Sequence, residues 1–264
     1  MTSLEHGPSP SLAHGLMSVE AAHGAVSVGD TSPSTYDGTA PTSWNRSMPD
    51  EKTPRHLAVI PDGNRRWASE RGLTPTDGHR AGIAQVGVIA HAALQAGVQV
   101  FSFWWGSPAN LTQRAPTEVS GIVSVLETWL REVAPDLCHS LGARFEVIGR
   151  YRELCPSLEP AIQALPTEGE KAIVLFMAYD GREEIKEAAR GSRDFETSLW
   201  TAHLPPVDLL IRTGGGAHFS AGFLLWLLAE SQLSFPDPLW PAFTLKDFQA
   251  ELARYATTER RFGR

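Results

Sequence analysis

Apolar residues occur along this chain in short runs that alternate with longer amphipathic stretches, and the alternation begins only near His56. Residues 57–60, 98–105, 145–148, 172–178 and 207–211 are largely apolar and rich in β-branched and aromatic side chains, so each reads as a buried strand. Residues 232–235 add a short last strand. Helical spacing fills the gaps: 64–71, 80–96 (stopped by Gly97), 158–165 (closed by Pro166), 182–189, 221–229 and 245–255. The clearest helix is 118–133, where Val119, Ile122, Val123, Leu126, Trp129, Leu130 and Val133 share one face. Residues 106–110 read as a loop. Strands alternating with helices predict an α/β fold, with a mainly parallel central sheet flanked by helices. Ligands in such sheets bind beyond the carboxyl ends of the strands.

Residues 1–54 are different. They are rich in Ser, Gly, Pro, Thr, Ala and His, with scattered apolar positions and little periodicity. Such a segment buries too little surface to offset its ordering entropy, which predicts a disordered N-terminal extension before a folded domain at 55–264. Composition then narrows the function. The chain of 264 residues is 42% apolar and 20% charged, enough for a substantial core. A net charge of −7 argues against a general nucleic-acid binder. Cys138 and Cys155 have neither metal-ligand spacing nor the number of a disulfide framework, so free thiols in a cytoplasmic protein are expected. The longest apolar stretch is far too short for a transmembrane segment, and the N-terminus does not read as a secretion signal.

Three segments at strand ends carry the candidate chemistry. Asp62-Gly-Asn-Arg-Arg-Trp67 follows the first strand and starts a helix, with His79 downstream in Gly-His-Arg-Ala-Gly. Free backbone N–H groups there, with Gly63 allowing close approach, suit an anion. Arg65 and Arg66 can neutralise phosphate, and Asp62 can hold a divalent metal bridging it. A capped helix with surface arginines is the plainer alternative. The second segment is 106–114. The third is Arg212-Thr-Gly-Gly-Gly216 followed by Ala-His-Phe-Ser220, where a guanidinium fork, open amides and a serine hydroxyl suit a second anion. A glycine-rich turn with an N-cap serine would look the same.

Taken in order, HLAVIPDGNRRWA, GHRAG, AYDGREEI, DLLIRTGG, FLLW, DPLWPAF and ERRFG resemble the cis-prenyltransferase family, the undecaprenyl diphosphate synthases and their relatives. The resemblance runs from about His56 to Gly263. It implies a homodimer built around a hydrophobic tunnel, using Mg2+ to ionise an allylic diphosphate before coupling to isopentenyl diphosphate. On that resemblance Asp62 is the metal and diphosphate aspartate. Gly63, Asn64, Arg66 and His79 match the allylic diphosphate site, with Arg65 beside them, and Asn64 is a candidate for assisting proton removal. Arg212 and Ser220 match the acceptor diphosphate site, and Arg261 and Gly263 match a C-terminal Arg-x-Gly that reaches the partner's active site.

The departures from the family pattern fall on one side. Its Phe-Ser-Thr-Glu-Asn-Trp loop is here Gly106-Ser-Pro-Ala-Asn-Leu111. Ser107 and Asn110 persist, the acid is Ala109, and the loop's arginine is displaced to Arg114 beside Gln113. In Arg-Thr-Gly-Gly-Glu-x-Arg-x-Ser the acid is Gly216 and the second arginine is His218. One residue is inserted near Ala221 and Gly222, and Gln232 stands where a further acid is usual. An intact allylic half beside an altered acceptor half predicts a short or irregular prenyl product. The lavandulyl and cyclolavandulyl diphosphate synthases share the Pro-Asp-Gly opening and a Ser-x-Ala-Asn loop. A conventional Z-elongating synthase, a terpene cyclase or aromatic prenyltransferase, and a non-catalytic partner subunit are the alternatives; Asp62 argues against the last. His218 reads as a phosphate donor, as the base after coupling, or as a plain loop residue. Trp104 and Trp105 read as core or as a stacking wall, and Arg182, Glu183 and Glu184 as salt links or substrate contacts.

Overall fold

The computed structural model describes residues 52–191 and 194–258. The expected N-terminal extension up to residue 51, and the candidate residues Arg261 and Gly263, lie outside the described residues. Elements follow in the order β1 (His56–Ile60), α1 (Asn64–Ser69), α2 (Pro75–Gln95), β2 (Val100–Gly106), α3 (Pro108–Gln113), α4 (Pro116–Glu132), α5 (Ala134–Leu141), β3 (Ala143–Ile148), α6 (Tyr151–Leu154), α7 (Glu159–Gln163), β4 (Lys171–Met177), α8 (Gly181–Ala188), β5 (Leu209–Arg212), β6 (Gln232–Ser234) and α9 (Leu245–Thr257). The described strands form one wholly parallel sheet in the order β3-β4-β2-β1-β5-β6. The α/β reading therefore holds.

Alternate residues of each strand feed two cores, as a sheet covered on both faces requires. Leu57, Val59, Phe101, Phe103, Leu175 and Ile211 face the layer of α2, α4 and α9. Ala58, Ile60, Val174, Phe176 and Leu210 face Tyr179, Leu204, Phe223 and Leu228. The chain leaves β1 for β2 on one side and returns to β5 on the other, so its direction reverses at β1. That reversal opens a crevice at the carboxyl ends.

The structure corrects several boundaries. Helix α2 starts at Pro75, five residues before the expected Arg80, because Thr74 and Asp77 form a reciprocal capping box and proline suits the first turn. His79 is therefore inside the helix and buried. The expected loop at 106–110 turns into α3 at Pro108, with Ser107 and Asn110 forming a second capping box. A separate helix, α5, follows α4, and the expected helix at 158–165 is a 3-10 turn at Pro156–Leu158 running into the shorter α7.

The largest correction is 221–229, which is a succession of turns and not a helix. Ala221, Gly222 and Leu224 all have positive φ, which breaks the helical ladder. Gly181 fixes this conformation, since its N–H donates to Ala221 O at 2.9 Å and a β-carbon on it would lie 2.0 Å from Gly222 O.

Beneath the loop after β1 sits Trp240, fully buried and stacked on Phe243 with ring centroids 5.7 Å apart. Its indole N–H donates to Gly82 O of α2 at 2.8 Å. The preceding Leu239 packs so tightly on Gly63 that a β-carbon there would lie 2.8 Å from it, and Gly63 also has φ +106. Trp240→Ala should therefore cost about 3–5 kcal/mol in urea unfolding, through the lost ring and its hydrogen bond to the Gly82 carbonyl. A cost under about 1 kcal/mol would mean that Trp240 does not anchor the loop.

Candidate active site

Parallel pairing of β1 with β5 sets Ile60 opposite Arg212, so the next residues of both strands emerge together. Arg212 Nη2 donates to Asp62 Oδ2 at 2.8 Å, and Thr213 Oγ1 donates to the Asp62 carbonyl at 2.9 Å. Arg212 is almost wholly buried. Its Nη1 also donates to Ser220 Oγ and to His218 O, both at 2.7 Å, and Nη2 reaches His218 Nε2 at 2.7 Å. Only Nε lacks a protein partner. A guanidinium has no lone pair to offer, so His218 Nε2 can only accept in that contact.

The allylic candidates line the other side. Arg66 donates to Gly214 O at 3.1 Å and lies 3.6 Å from Asp62 Oδ1. Arg65 and Arg114 share Glu118, at 3.4 and 3.0 Å. His79 stands edge-on to Trp105, with ring centroids 5.9 Å apart, and its Nε2 is buried without a protein partner. Burial, reinforced by the positive charges of Arg114 and Arg65, lowers its pKa to about 4. Asn64 is tucked under α2. Its Nδ2 donates to Pro61 O at 3.0 Å, and a β-carbon on Gly82 would lie 2.2 Å from its Oδ1, which has no hydrogen-bond partner. Ser107 and Asn110 bond to each other through the α3 capping box.

These groups surround a cavity of about 660 Å³ at the strand ends. Asp62, Gly63, Arg65, Arg66, His79 and Ser220 line its polar side. Ile60, Leu73, Trp104 and Trp105 form an apolar wall. Trp105 belongs to the same apolar core as Phe103, Leu126 and Trp129.

A family model described as putative undecaprenyl diphosphate synthase matches residues 60–263. The chain belongs to that prenyltransferase family. It is 38% identical over 238 residues to an isoprenyl transferase of Thermus thermophilus, covering 80% of this chain and 89% of that one. An isoprenyl transferase of Geobacter sulfurreducens is 36% identical over 234 residues, covering 81% and 94%. Among solved structures, lavandulyl diphosphate synthase from Lavandula x intermedia, in complex with dimethylallyl diphosphate, superposes with a TM-score of 0.74 at 34% identity. That match covers 81% of this chain and all of the other. The protein is thus an enzyme that transfers prenyl groups.

The residues of this prenyltransferase fit a magnesium ion of one particular kind. Among the described residues no cluster of three or more His, Cys, Asp or Glu could hold a metal alone. Asp62 is the carboxylate lining the cavity, with Oδ1 less tightly engaged than Oδ2. One carboxylate completed by substrate phosphates and water is how Mg2+ is usually bound.

Sequence reasoning missed Glu118, although its i,i+4 spacing from Arg114 pointed to that pair. It also missed Thr213 and Leu239, which fix the loop after β1 and left no polar or periodic signal. Arg182 is exposed, Glu183 lies 3.6 Å from Arg150, and Glu184 is buried, accepting from Tyr179 and from Thr201 Oγ1 at 2.7 Å. Those three lie outside the cavity lining.

Acid should destabilise the fold through its buried histidines. His79 is held to about 4, and His56, bonded to Pro205 O and Ser102 Oγ, is likewise lowered by burial to about 4. The unfolded chain takes up each proton near pH 6.5, so stability is full above that value and falls as pH drops towards 4. Each site contributes on the order of 3 kcal/mol across that window. His79→Gln should flatten the pH dependence of the urea midpoint, and an unchanged slope would show that His79 is not buried neutral.

Proposed function

We propose that this prenyltransferase ionises a short allylic diphosphate with Mg2+ and passes the prenyl group to an acceptor other than isopentenyl diphosphate. The contrast between the two halves of the site carries the reading. Arg65, Arg66, His79 and the Gly63 backbone line the open cavity, whereas the Arg212 fork is already filled by Asp62, Ser220 and His218. The modest cavity and its tryptophan wall favour a short prenyl chain. The dimethylallyl diphosphate named with the lavandulyl diphosphate synthase points the same way by analogy.

In this mechanism the carbon–oxygen bond at C1 breaks and its electron pair leaves on the diphosphate. Arg65 and Arg66 orient the leaving group and offset its growing charge, and the neutral His79 Nε2 offers a further polar contact. Magnesium, when held by Asp62 and the diphosphate oxygens, supplies further charge neutralisation. The wall of Ile60, Trp104 and Trp105 keeps water from the allylic cation. An acceptor π pair then forms the bond to C1, and its proton passes to the released diphosphate. Conventional elongation with isopentenyl diphosphate is the competing reading, favoured by the identity to the isoprenyl transferases.

The working form is a homodimer in this reading. Phe219, Leu225, Trp226 and Leu233 are exposed apolar residues on β6 and the turns before it, at an open sheet edge. Sedimentation equilibrium should return twice the chain mass, and a monomer at micromolar concentration would remove this assignment.

The deciding assay supplies the purified full chain and Mg2+ with dimethylallyl, geranyl or farnesyl diphosphate, each alone, with isopentenyl diphosphate, or with an uncharged electron-rich aromatic acceptor. Release of inorganic diphosphate from a short allylic substrate, not dependent on isopentenyl diphosphate, is the expected result. Asp62→Asn should slow that release by about 100- to 1,000-fold. An elongated product that requires isopentenyl diphosphate would sink the altered-acceptor reading, and unchanged turnover by Asp62→Asn would sink the role of Asp62.

A further inference from the structure

The loop after β5 departs from the family pattern at two positions, and the structure shows them to be one arrangement. The His218 ring lies over Gly216, where a β-carbon would sit 2.9 Å from both Cε1 and Nδ1. Any side chain at 216 would push the ring off its seat. A hydrogen bond from His218 N to Gly216 O at 2.8 Å holds the turn. So placed, His218 gives Arg212 two acceptors, its carbonyl oxygen and Nε2. With Asp62 and Ser220, four of the five guanidinium N–H groups are engaged, and the fifth, on Nε, is buried.

Charge gives the same answer. Asp62 Oδ2 pairs with Arg212, and the exposed His218 ring lies on the same guanidinium. Glu118 offsets part of the charge of Arg65 and Arg114. A second diphosphate would bring at least two negative charges to a guanidinium already paired with a carboxylate. Unless it displaced His218, Ser220 or Asp62, it would meet only the Nε–H of Arg212 without a partner.

We propose that His218, seated on Gly216, is the specificity-determining residue of this enzyme's acceptor site, filling the Arg212 fork so that the acceptor is an uncharged, electron-rich alkene or aromatic ring. The inference rests on the proposed prenyl transfer to an altered acceptor and names the chemistry of that acceptor. The atom balance is that of the coupling above. The acceptor's π pair forms the new bond, one diphosphate departs with the C1–O electrons, and it takes up the acceptor's proton.

The test counts diphosphates per chain. Calorimetry first saturates the full-length protein, with Mg2+, with a thio analogue of dimethylallyl diphosphate that does not ionise, and then titrates isopentenyl diphosphate. Wild type should bind one analogue and show no second site. His218→Ala, and the Gly216→Glu/His218→Arg double variant that restores the family pattern, should bind isopentenyl diphosphate at least ten-fold more tightly than wild type. Using two substitutions keeps the test valid if the double variant fails to fold. A wild-type protein that binds a second diphosphate as tightly as the first would overturn the inference, as would variants that gain no second site. Should wild type convert dimethylallyl diphosphate alone into a ten-carbon product retaining a diphosphate, the altered-acceptor function stands and this inference falls. If its product instead requires isopentenyl diphosphate, both fall.

Discussion

The pairing of Ile60 with Arg212 in the β1–β5 ladder is the constraint on which the site depends. Residues so distant in sequence meet only because two parallel strands share one register. A slip of one residue would turn Arg212 to the other face and part Asp62 from both Arg212 and Thr213. The same register sets Thr213 against the Asp62 carbonyl and brings Gly214 under Arg66, where a β-carbon would lie 2.5 Å from Nη2. Backbone geometry, more than side-chain choice, assembles the charged cluster.

Around that cluster the two halves of the cavity differ in how far their polar groups are already satisfied. On the allylic side His79 Nε2 and the indole N–H groups of Trp104 and Trp105 are buried without protein partners. Buried polar atoms of this kind cost free energy unless something meets them, and a cavity is where a ligand can. On the proposed acceptor side the oxygens of Ser107 and Asn110 accept the capping-box N–H groups, Arg114 is paired with Glu118, and four of the five Arg212 N–H groups are engaged. The Arg212 guanidinium is thus largely engaged by protein groups, whereas His79 and the two indoles face the cavity with none.

Much of this was legible in the chain itself. Fully apolar runs reported strands buried on both faces, and the Asp-Gly and Arg-Thr-Gly segments lay at strand ends because the carboxyl edge is where backbone amides are open. What stayed hidden depended on contacts between distant segments. The turns at 221–229 have helical composition, and only the close approach of Gly181 to Gly222 forces the positive φ values there. The early start of α2 was readable from Thr74, Pro75 and Asp77, yet apolar periodicity alone favoured Arg80. Nothing in spacing revealed that His218 would lie over Gly216, since that needs the actual path of a glycine loop. Asn64, singled out for proton transfer, lines the cavity, and the notch that Gly82 leaves in α2 to seat its side chain had no signal in the sequence.

The Asp62–Arg212 pair joins positions 150 residues apart. Contacts of such separation form only after a long loop has closed, and closure entropy opposes them until neighbouring strands are in place. A chain still emerging from synthesis has the Asp62 carboxylate long before it has the arginine that partners it. Competence to break an allylic bond is therefore conferred at the end of folding, by the strand that completes the sheet beside β1. Up to that moment the reactive end of the molecule is only a loop on an unfinished edge.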